Sequence, residues 1–438
     1  MCTHSNASCG RPGTHLPKGT TRRDFVKAAG LAAGIMALGP FRGLLPVAQG
    51  APLQQKRLVV INLFGGADTM NAVIPHTLQS YYDRRGAIAI PSDQALSLTG
   101  GPGTSLYRLH PRMTNIQALW DRGDVAFVQR VGYPNPNLSH FTSQDINSLA
   151  VRDSFPVGVP KSGWIARYAD RNAPTPLGAV GLGVGRPLDF VGGSTNPFLV
   201  QSLSGFRLSG GTGQTQQHRL NAAKQLVASF SGAGNTAEAR AAIDQAYQLV
   251  DQVQAAVSSY TSNVSYTYQD PDTGSDTTPS ISQRLRDVAR LVQAGFETRV
   301  FFTGTGGYDT HSDQLGQHSR LLTQLDRAIG AFAQDMQDMG LWEDTVIAVV
   351  TEFGRRNEVN GSDGTDHGHA WCELLVGGGV RGGAYGPELV DGDITSGYPV
   401  HAVDFREVYY EILRDHMGAG DLDYVLPETS LPNALGLV

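Results

Sequence analysis

Residues Thr345–Ala370 read TVIAVVTEFGRRNEVNGSDGTDHGHA and give the strongest indication of the fold. The first six residues are apolar and mostly β-branched, which predicts a buried strand. The glycines and Asn360 that follow are unfavourable in strands, so we expect a loop to begin where the strand ends. That loop carries carboxylate and imidazole groups, which are typical ligands of divalent metal ions. They belong to Glu352, Asp363, Asp366, His367 and His369. The alternative is a solvated turn, which the density of acids and histidines makes less favourable.

Three further apolar runs predict strands, and each is followed by a turn that contains glycine and polar side chains. The runs are Arg57–Leu63, Val125–Val131 and Thr298–Thr303. An amphipathic helical pattern lies between the last of these and the strand at residue 345. This strand–helix–strand order predicts a parallel sheet with helices on both faces, an α/β fold.

The turns after the four predicted strands carry the candidate site residues. In an open parallel sheet, ligands bind outside the carboxyl ends of the strands, so we expect these turns to converge. We predict that one or two divalent ions (zinc, manganese, magnesium or calcium) are bound there. The predicted metal ligands are Asp68, Asp309, His311, Glu352, Asp366 and His367.

Three other residues of these turns are candidates for catalysis: Ser139, His140 and Arg355. Ser139 is a possible nucleophile, and Arg355 could clamp an anionic oxygen or form a structural salt bridge. Each residue also has an alternative role in the fold. Asp68 or Ser139 could cap a helix, Asp309 could form an Asx turn, and His140 could be a core histidine.

Composition limits the possible functions of the chain. It has 438 residues with 40% hydrophobic content, enough for a sizeable core, and a net charge of −6. Nucleic-acid binding requires a basic face, so it is not indicated. Cys372 is the only cysteine after the first 50 residues. We interpret it as a buried structural residue, with a nucleophilic role as the less favoured alternative.

Residues 21–27, TRRDFVK, resemble a twin-arginine export signal. The apolar run at residues 28–38 is too short to span a bilayer, and Ala48 and Gly50 fit a cleavage site after Gly50. We therefore predict a signal peptide at residues 1–50, which the twin-arginine export machinery would recognise. The mature domain, residues 51–438, would be periplasmic or secreted and would have no integral membrane segment. Within it, residues 202–295 are predicted to form a helical and loop insertion.

Five segments together resemble an uncharacterised family of twin-arginine-exported proteins, domain of unknown function 1501. They are GGADTMN at 65–71, YPNPNLSHF at 133–141, GGYDTHSDQ at 306–314, TEFGRR at 351–356 and GTDHGHA at 364–370. That family is related to the alkaline phosphatase and sulfatase superfamily. The resemblance implies an alkaline-phosphatase-like α/β sandwich with a metal-dependent hydrolase site.

The resemblance also implies roles for individual residues. Asp68 matches the first-strand metal ligand, and Ser139 falls in the nucleophile region. Asp309 and His311 match an Asp/His ligand pair, and His367 matches the final histidine. Glu352 stands at the strand end where the superfamily has an Asp–His pair, but Phe353 occupies the position of that histidine.

These features lead to two main hypotheses. The first is an exported metal-dependent hydrolase that acts on phosphate or sulfate esters of small molecules or polymers. The second, favoured by Phe353, is a non-catalytic binding or surface-assembly protein that retains the hydrolase fold. An isomerase or mutase acting on phosphosugars is a third, for which no specific residue argues.

Overall fold

A nine-stranded sheet lies at the centre of the larger of two compact units in this computed structural model. The structure describes residues 52–438 except 102–103, 153–161, 196, 428–433 and most of 207–234, where only 214, 218, 221, 222, 225 and 229 are described. The predicted signal peptide therefore lies outside the described residues. The larger unit includes residues 42–206 and 252–438, and residues 207–251 belong to the smaller. The bounds predicted for the insertion, 202–295, stay a prediction.

The strands of the central sheet are β1 (Arg57–Leu63), β5 (Val125–Gly132), β6 (Ala179–Leu182), β7 (Phe198–Val200), β10 (Val300–Thr305), β11 (Thr345–Val350), β12 (Trp371–Val376), β13 (Gly383–Tyr385) and β14 (Val403–Asp404). Their order is β13-β5-β12-β11-β1-β10-β6-β7, and β14 pairs with β5. Smaller sheets are formed by β2 (Val73–Ile74), β3 (Leu96–Ser97) and β4 (Arg108–Leu109), and by β8 (Tyr268–Gln269) with β9 (Asp276–Thr277).

The direction of the strands explains why the candidate site residues can meet. β1 pairs in parallel with β10 and with β11, and Val59 lies opposite both Phe301 and Ile347. β12 is antiparallel to β11 and to β5, so β5 has the same direction as β1, β10 and β11. The sheet is therefore mixed and mostly parallel, and the turns after these four strands lie at one edge.

Helices of the larger unit cover both faces of the sheet, as the α/β prediction requires. The α-helices of the described residues are α1 (Gln79–Arg85), α2 (Thr114–Trp120), α3 (His140–Leu149), α4 (Trp164–Asn172), α5 (Asn235–Ser259), α6 (Ser280–Gln293), α7 (Gln314–Asp338), α8 (Asp391–Thr395), α9 (Phe405–Glu411) and α10 (Leu422–Val425). Helix α9 continues as a π-helical turn over Ile412–His416. On one face α4 and α9 bury Trp164 and Phe405 in the same cluster as Val60 and Phe302. On the other face Trp120 of α2 stacks on Phe127 with ring centroids 4.8 Å apart.

The apolar spacing of Met113, Ile116 and Leu119 predicts a helix over residues 109–122, but helix α2 is shorter than this. Leu109 belongs to β4, where it pairs with Val73, and Pro111 separates that strand from the helix. Backbone N–H groups in the first turn of a helix have no partner within the helix. In α2, those of Asn115 and Ile116 donate to the carboxylate of Asp326, at 3.2 and 2.9 Å. A carboxylate from α7 thus caps α2 across the sequence.

None of the helices in the described part of the chain combines the length and apolarity needed to cross a lipid bilayer.

Candidate functional site

The turns after three parallel strands bring a group of potential metal ligands together. His140, the first residue of α3, follows β5; Asp309 follows β10; and His367 lies in the loop after β11. One ligand atom from each lies within 4.8 Å of the others. In the described residues this is the group of His, Cys, Asp and Glu side chains that could hold a metal ion. We call these three residues and His311 the histidine cluster.

The carboxylate of Asp309 is the centre of the histidine cluster. Its Oδ1 atom lies 3.0 Å from Nε2 of His311 and 3.0 Å from Nε2 of His367, and its Oδ2 atom lies 3.4 Å from Nε2 of His140. Partial burial raises the pKa of Asp309, but hydrogen bonds from Arg355 and His367 outweigh burial and lower it to about 2. Asp309 is therefore a carboxylate at neutral pH.

The three histidines are all oriented by their second ring nitrogen. Nδ1 contacts Oε1 of Glu352 at 2.7 Å in His140, Oδ1 of Asp366 at 3.2 Å in His311, and the carbonyl of Leu138 at 2.8 Å in His367. Carboxylates and carbonyls only accept hydrogen bonds, so each Nδ1 carries a proton and donates. The Nε2 atoms of all three rings are directed at the carboxylate of Asp309. Orientation of this kind is typical of metal-binding histidines.

The Nε2 atoms of the cluster differ in the partners that they have besides Asp309. Nε2 of His140 is inaccessible to solvent and has no hydrogen-bond partner. Nε2 of His311 lies 3.0 Å from Nε2 of His367 and 3.5 Å from a guanidinium nitrogen of Arg355. The imidazole nitrogens and the carboxylate that converge here form a donor set that fits a divalent ion.

Glu352 lies behind His140 rather than beside Asp309. Its buried Oε1 atom accepts from the ring of His140, from the backbone N–H of Gly65 at 2.8 Å and from Gln144 at 3.3 Å. In this arrangement Glu352 orients a ligand. Its predicted role as a direct ligand has no support from these contacts.

The guanidinium group of Arg355 donates hydrogen bonds to several protein oxygens. It contacts Asp309 at 2.6 Å, the carbonyl of Thr365 at 2.8 Å and the carbonyl of Tyr308 at 3.2 Å. It also donates to the carbonyls of Gly65 and Gly66. The side chain is fully buried. These contacts are those of the structural salt bridge rather than of a clamp for an anionic substrate.

Asp68 is set apart from the histidine cluster. It is buried and accepts two hydrogen bonds from Arg85, at 2.6 and 3.0 Å, and one from Gln314 at 2.5 Å. Burial raises the pKa of Asp68, but the charges of Arg85 and His318 and the hydrogen bonds from Arg85 and Gln314 together outweigh burial and lower the pKa. The described residues show no hydrogen bond from Asp68 to any member of the cluster, so its predicted ligand role also lacks support.

Ser139 is exposed at the N-cap position of α3, next to His140. Its backbone N–H donates to the side chain of Asn137 at 2.7 Å, but its hydroxyl makes no capping hydrogen bond. No base among the described residues is hydrogen-bonded to that hydroxyl. Ser139 is thus the residue next to His140 of the cluster, and its hydroxyl is exposed.

Sequence reasoning missed three contributors to the site. The carbonyl of Leu138 orients His367, and no side-chain pattern could reveal it. Phe353 replaces a histidine ligand of the superfamily, but its ring also packs against the rings of His140 and His367, with centroid distances of 4.9 and 4.8 Å. Asn360 donates to Asp366 at 3.1 Å, and its position in the same loop was an available signal.

Comparisons with solved structures return proteins of low sequence identity. A protein in the alkaline phosphatase superfamily from Vibrio parahaemolyticus is 10% identical with a TM-score of 0.37, over 90% of this chain and 75% of that chain. The lipoteichoic acid synthase LtaP from Listeria monocytogenes is 9% identical with a TM-score of 0.34, over 93% and 82%. The PsFucS1 sulfatase from Pseudoalteromonas sp. is 11% identical with a TM-score of 0.36, over 92% and 73%. Likeness at this level transfers no activity to this chain.

Sequence comparisons give a more definite result. No curated protein is significantly similar in sequence to this chain. A family model described as "Protein of unknown function (DUF1501)" matches residues 192–417, slightly more than half of the chain. The family predicted from the five sequence segments is therefore confirmed, and the chain belongs to the DUF1501 family of proteins of unknown function.

Proposed function

We propose that the protein is an exported metal-dependent hydrolase of phosphate or sulfate esters. The ligands of the ion are His140, Asp309 and His367, with His311 as a fourth. The observation that carries the proposal is the common orientation of the three histidines. Each Nδ1 donates to a fixed oxygen, so three Nε2 atoms face one carboxylate.

The ligand types narrow the choice of metal. Imidazole binds zinc and other late transition metals well, whereas magnesium and calcium prefer oxygen ligands. Three imidazoles and one carboxylate therefore favour zinc, with manganese next among the ions predicted from the sequence. When bound, such an ion would supply Lewis acidity toward an ester oxygen.

The surrounding residues hold the ligands in place and attract an anion. Arg355 fixes the carboxylate of Asp309, and Glu352 fixes the ring of His140. The first turn of α3 begins at His140, and free backbone N–H groups at a helix N-terminus favour a phosphate or sulfate group. Ser139, at that helix end, is the proposed nucleophile, and its substitution by alanine would abolish ester turnover without removing metal.

Metal content is the first test of the proposal. Elemental mass spectrometry on folded protein, supplied with zinc, manganese, magnesium or calcium, should find about one equivalent of ion per chain. Asp309→Ala should lose it. Asp363→Asn is the matched control, because Asp363 is an exposed acid of the neighbouring loop with a left-handed backbone that asparagine tolerates. Equal metal content in all three proteins would contradict the proposal.

Turnover is the second test. The metal-loaded protein should hydrolyse an aryl phosphate or an aryl sulfate, and a chelator should abolish the reaction. A metal-bound protein that is inert toward both classes would favour a non-catalytic binding or surface-assembly protein instead. Two observations favour that alternative: the hydroxyl of Ser139 has no base among the described residues, and Arg355 is occupied by protein groups.

Export is tested separately from the metal. With Arg22 and Arg23 both replaced by lysine, the protein should remain in the cytoplasm, whereas the wild-type protein should be found in the periplasm or the medium. Cell fractionation with an antibody to the mature domain measures this. Equal export of both proteins would rule out the twin-arginine route.

A further inference from the structure

Gln314, the first residue of α7, lies at a junction between the two ligand-bearing loops. Its side chain is fully buried. Its Oε1 atom accepts hydrogen bonds from the hydroxyls of Thr310 and Thr365, at 2.9 and 2.6 Å. Its Nε2 atom donates to Asp68 at 2.5 Å. One amide therefore makes three hydrogen bonds to three different turns.

The two threonines are close in sequence to the histidine cluster. Thr310 lies between Asp309 and His311, and Thr365 lies two residues before His367. The backbone N–H of Thr365 also donates to the carbonyl of Thr310 at 3.1 Å. The amide oxygen of Gln314 thus joins the loop after β10 to the loop after β11 at the points from which their ligands project.

The partner of Nε2 determines which way the amide faces. Asp68 is held by two hydrogen bonds from the buried Arg85 and stays ionised, so it accepts and cannot donate. A flipped amide would place its oxygen against the carboxylate and its NH₂ group against the two hydroxyls. The Asp68–Arg85 pair therefore keeps Oε1 directed at the threonines.

We infer that Gln314 is a positioning residue for the proposed metal centre, and that Asp68 acts through it by fixing its orientation. The inference rests on the proposed function, because it requires that the histidine cluster binds an ion. On this inference, the role of the buried Asp68–Arg85 ion pair is to help set the spacing between Asp309 and His367. Outer residues that orient ligands typically change metal affinity by about 10–100-fold when they are replaced.

The experiment compares zinc affinity with stability in matched variants of the full mature chain. Gln314→Leu should weaken zinc binding by about tenfold or more, measured by competition with a chromophoric chelator. Thr323→Val is the control, because Thr323 is buried on the same helix and its hydroxyl donates to the carbonyl of Ser319 at 2.8 Å. It should lower Tm while zinc affinity stays within about twofold of wild type.

The double variant Thr310→Val/Thr365→Val tests the same contacts from the side of the threonines, and it replaces Gln314→Leu if that variant does not fold. It removes both hydroxyls and should weaken zinc binding to a similar extent. Where Gln314→Leu does fold, adding it to the double variant should have little further effect, because the three residues act through the same contacts. Fully additive losses would overturn the inference, as would equal effects on zinc affinity in Gln314→Leu and Thr323→Val.

Metal binding by the wild-type protein distinguishes a failure of the inference about Gln314 from a failure of the proposed function. If wild type binds zinc and the variants bind it equally well, the inference about Gln314 is wrong and the proposed function stands. If wild type binds no zinc, manganese, magnesium or calcium, the metal centre itself is wrong and the inference falls with it.

Discussion

Asp309 and Asp68 both follow a parallel strand at the same edge of the sheet, and both pair with an arginine, but their surroundings differ. The side chain of Asp309 is 45% exposed and faces three imidazole nitrogens. The side chain of Asp68 is 1% exposed and is surrounded by Arg85 and Gln314. The first has room and partners for a ligand, and the second already has all its partners from the protein. Two carboxylates at equivalent strand ends therefore differ in how much of their surroundings the protein itself already supplies.

The largest expected effect is on metal binding. Asp309→Asn should abolish it, whereas Asp68→Asn should retain the ion with affinity lowered by about tenfold at most, through Gln314. Isothermal titration with zinc measures both. If Asp68→Asn loses the ion and Asp309→Asn keeps it, the comparison between the two carboxylates is reversed.

The next largest effect is on stability. Arg85→Met leaves the carboxylate of Asp68 buried without its counter-charge, and we expect the free energy of unfolding to fall by about 3–5 kcal/mol. Arg84→Met is the control, because the neighbouring Arg84 is partly exposed and its ion pair with Glu358 spans 3.6 Å. It should cost at most about 1 kcal/mol. Urea unfolding of both variants measures the difference, which would vanish if the buried pair were unimportant.

The carboxyl group of Glu373 can be compared with those of Asp309 and Asp68, because it is buried without a positively charged partner among the described residues. Glu373 on β12 is fully buried, and burial, only partly offset by a hydrogen bond from Trp371, raises its pKa to about 8. The native state therefore keeps a proton that the unfolded state releases above its ordinary pKa of 4.5. Stability should fall as pH rises from about 4.5 to 8, with a slope of about 1.4 kcal/mol per pH unit from this group.

Glu373→Gln should remove that slope and stabilise the protein most at pH 8. Urea unfolding at several pH values measures this, with Glu343→Gln as an exposed control that leaves the slope unchanged. An unchanged slope in Glu373→Gln would show that Glu373 is ionised in the native state.

The smallest expected effect is at Phe141, next to His140 on α3. Its side chain is 84% exposed, so Phe141→Ala should change the free energy of unfolding by no more than about 0.5 kcal/mol. Metal content should also be unchanged, whereas His140→Ala should lose the ion. Loss of metal in Phe141→Ala would mean that the N-terminal turn of α3 is held differently from the arrangement described.

The strands nearest the site were predictable because their patterns are strong. β1 and β11 have the bounds predicted from apolar runs, and β5 and β10 differ only at their ends. The short strands β6 and β7 were missed, because AVGL and FLV are too short to show a period. The local sequence of each buried strand thus determined what could be predicted of the sheet.

The site was predictable only as a set of turns. The turns after β10 and β11 do bring Asp309, His311 and His367 together, as the parallel sheet implied. The separation of Asp68 from them depends on Arg85, which lies 17 residues further along the chain on α1. No spacing rule predicts that pairing, since it depends on how α1 packs. The ligand roles predicted for Asp68, Glu352 and Asp366 stay predictions.

Because β12 is antiparallel to its neighbour β11, the loop between them is anchored to the sheet at both ends. The loop over residues 351–370 leaves the sheet from β11 and returns to it in β12, and these strands are neighbours. Arg355 and His367 form an additional backbone bridge within the loop. A loop closed at both ends and joined across its middle has lost most of its conformational entropy when the sheet folds. An incoming ion would therefore meet ligands that are already ordered, and little of its binding free energy would be spent on arranging them.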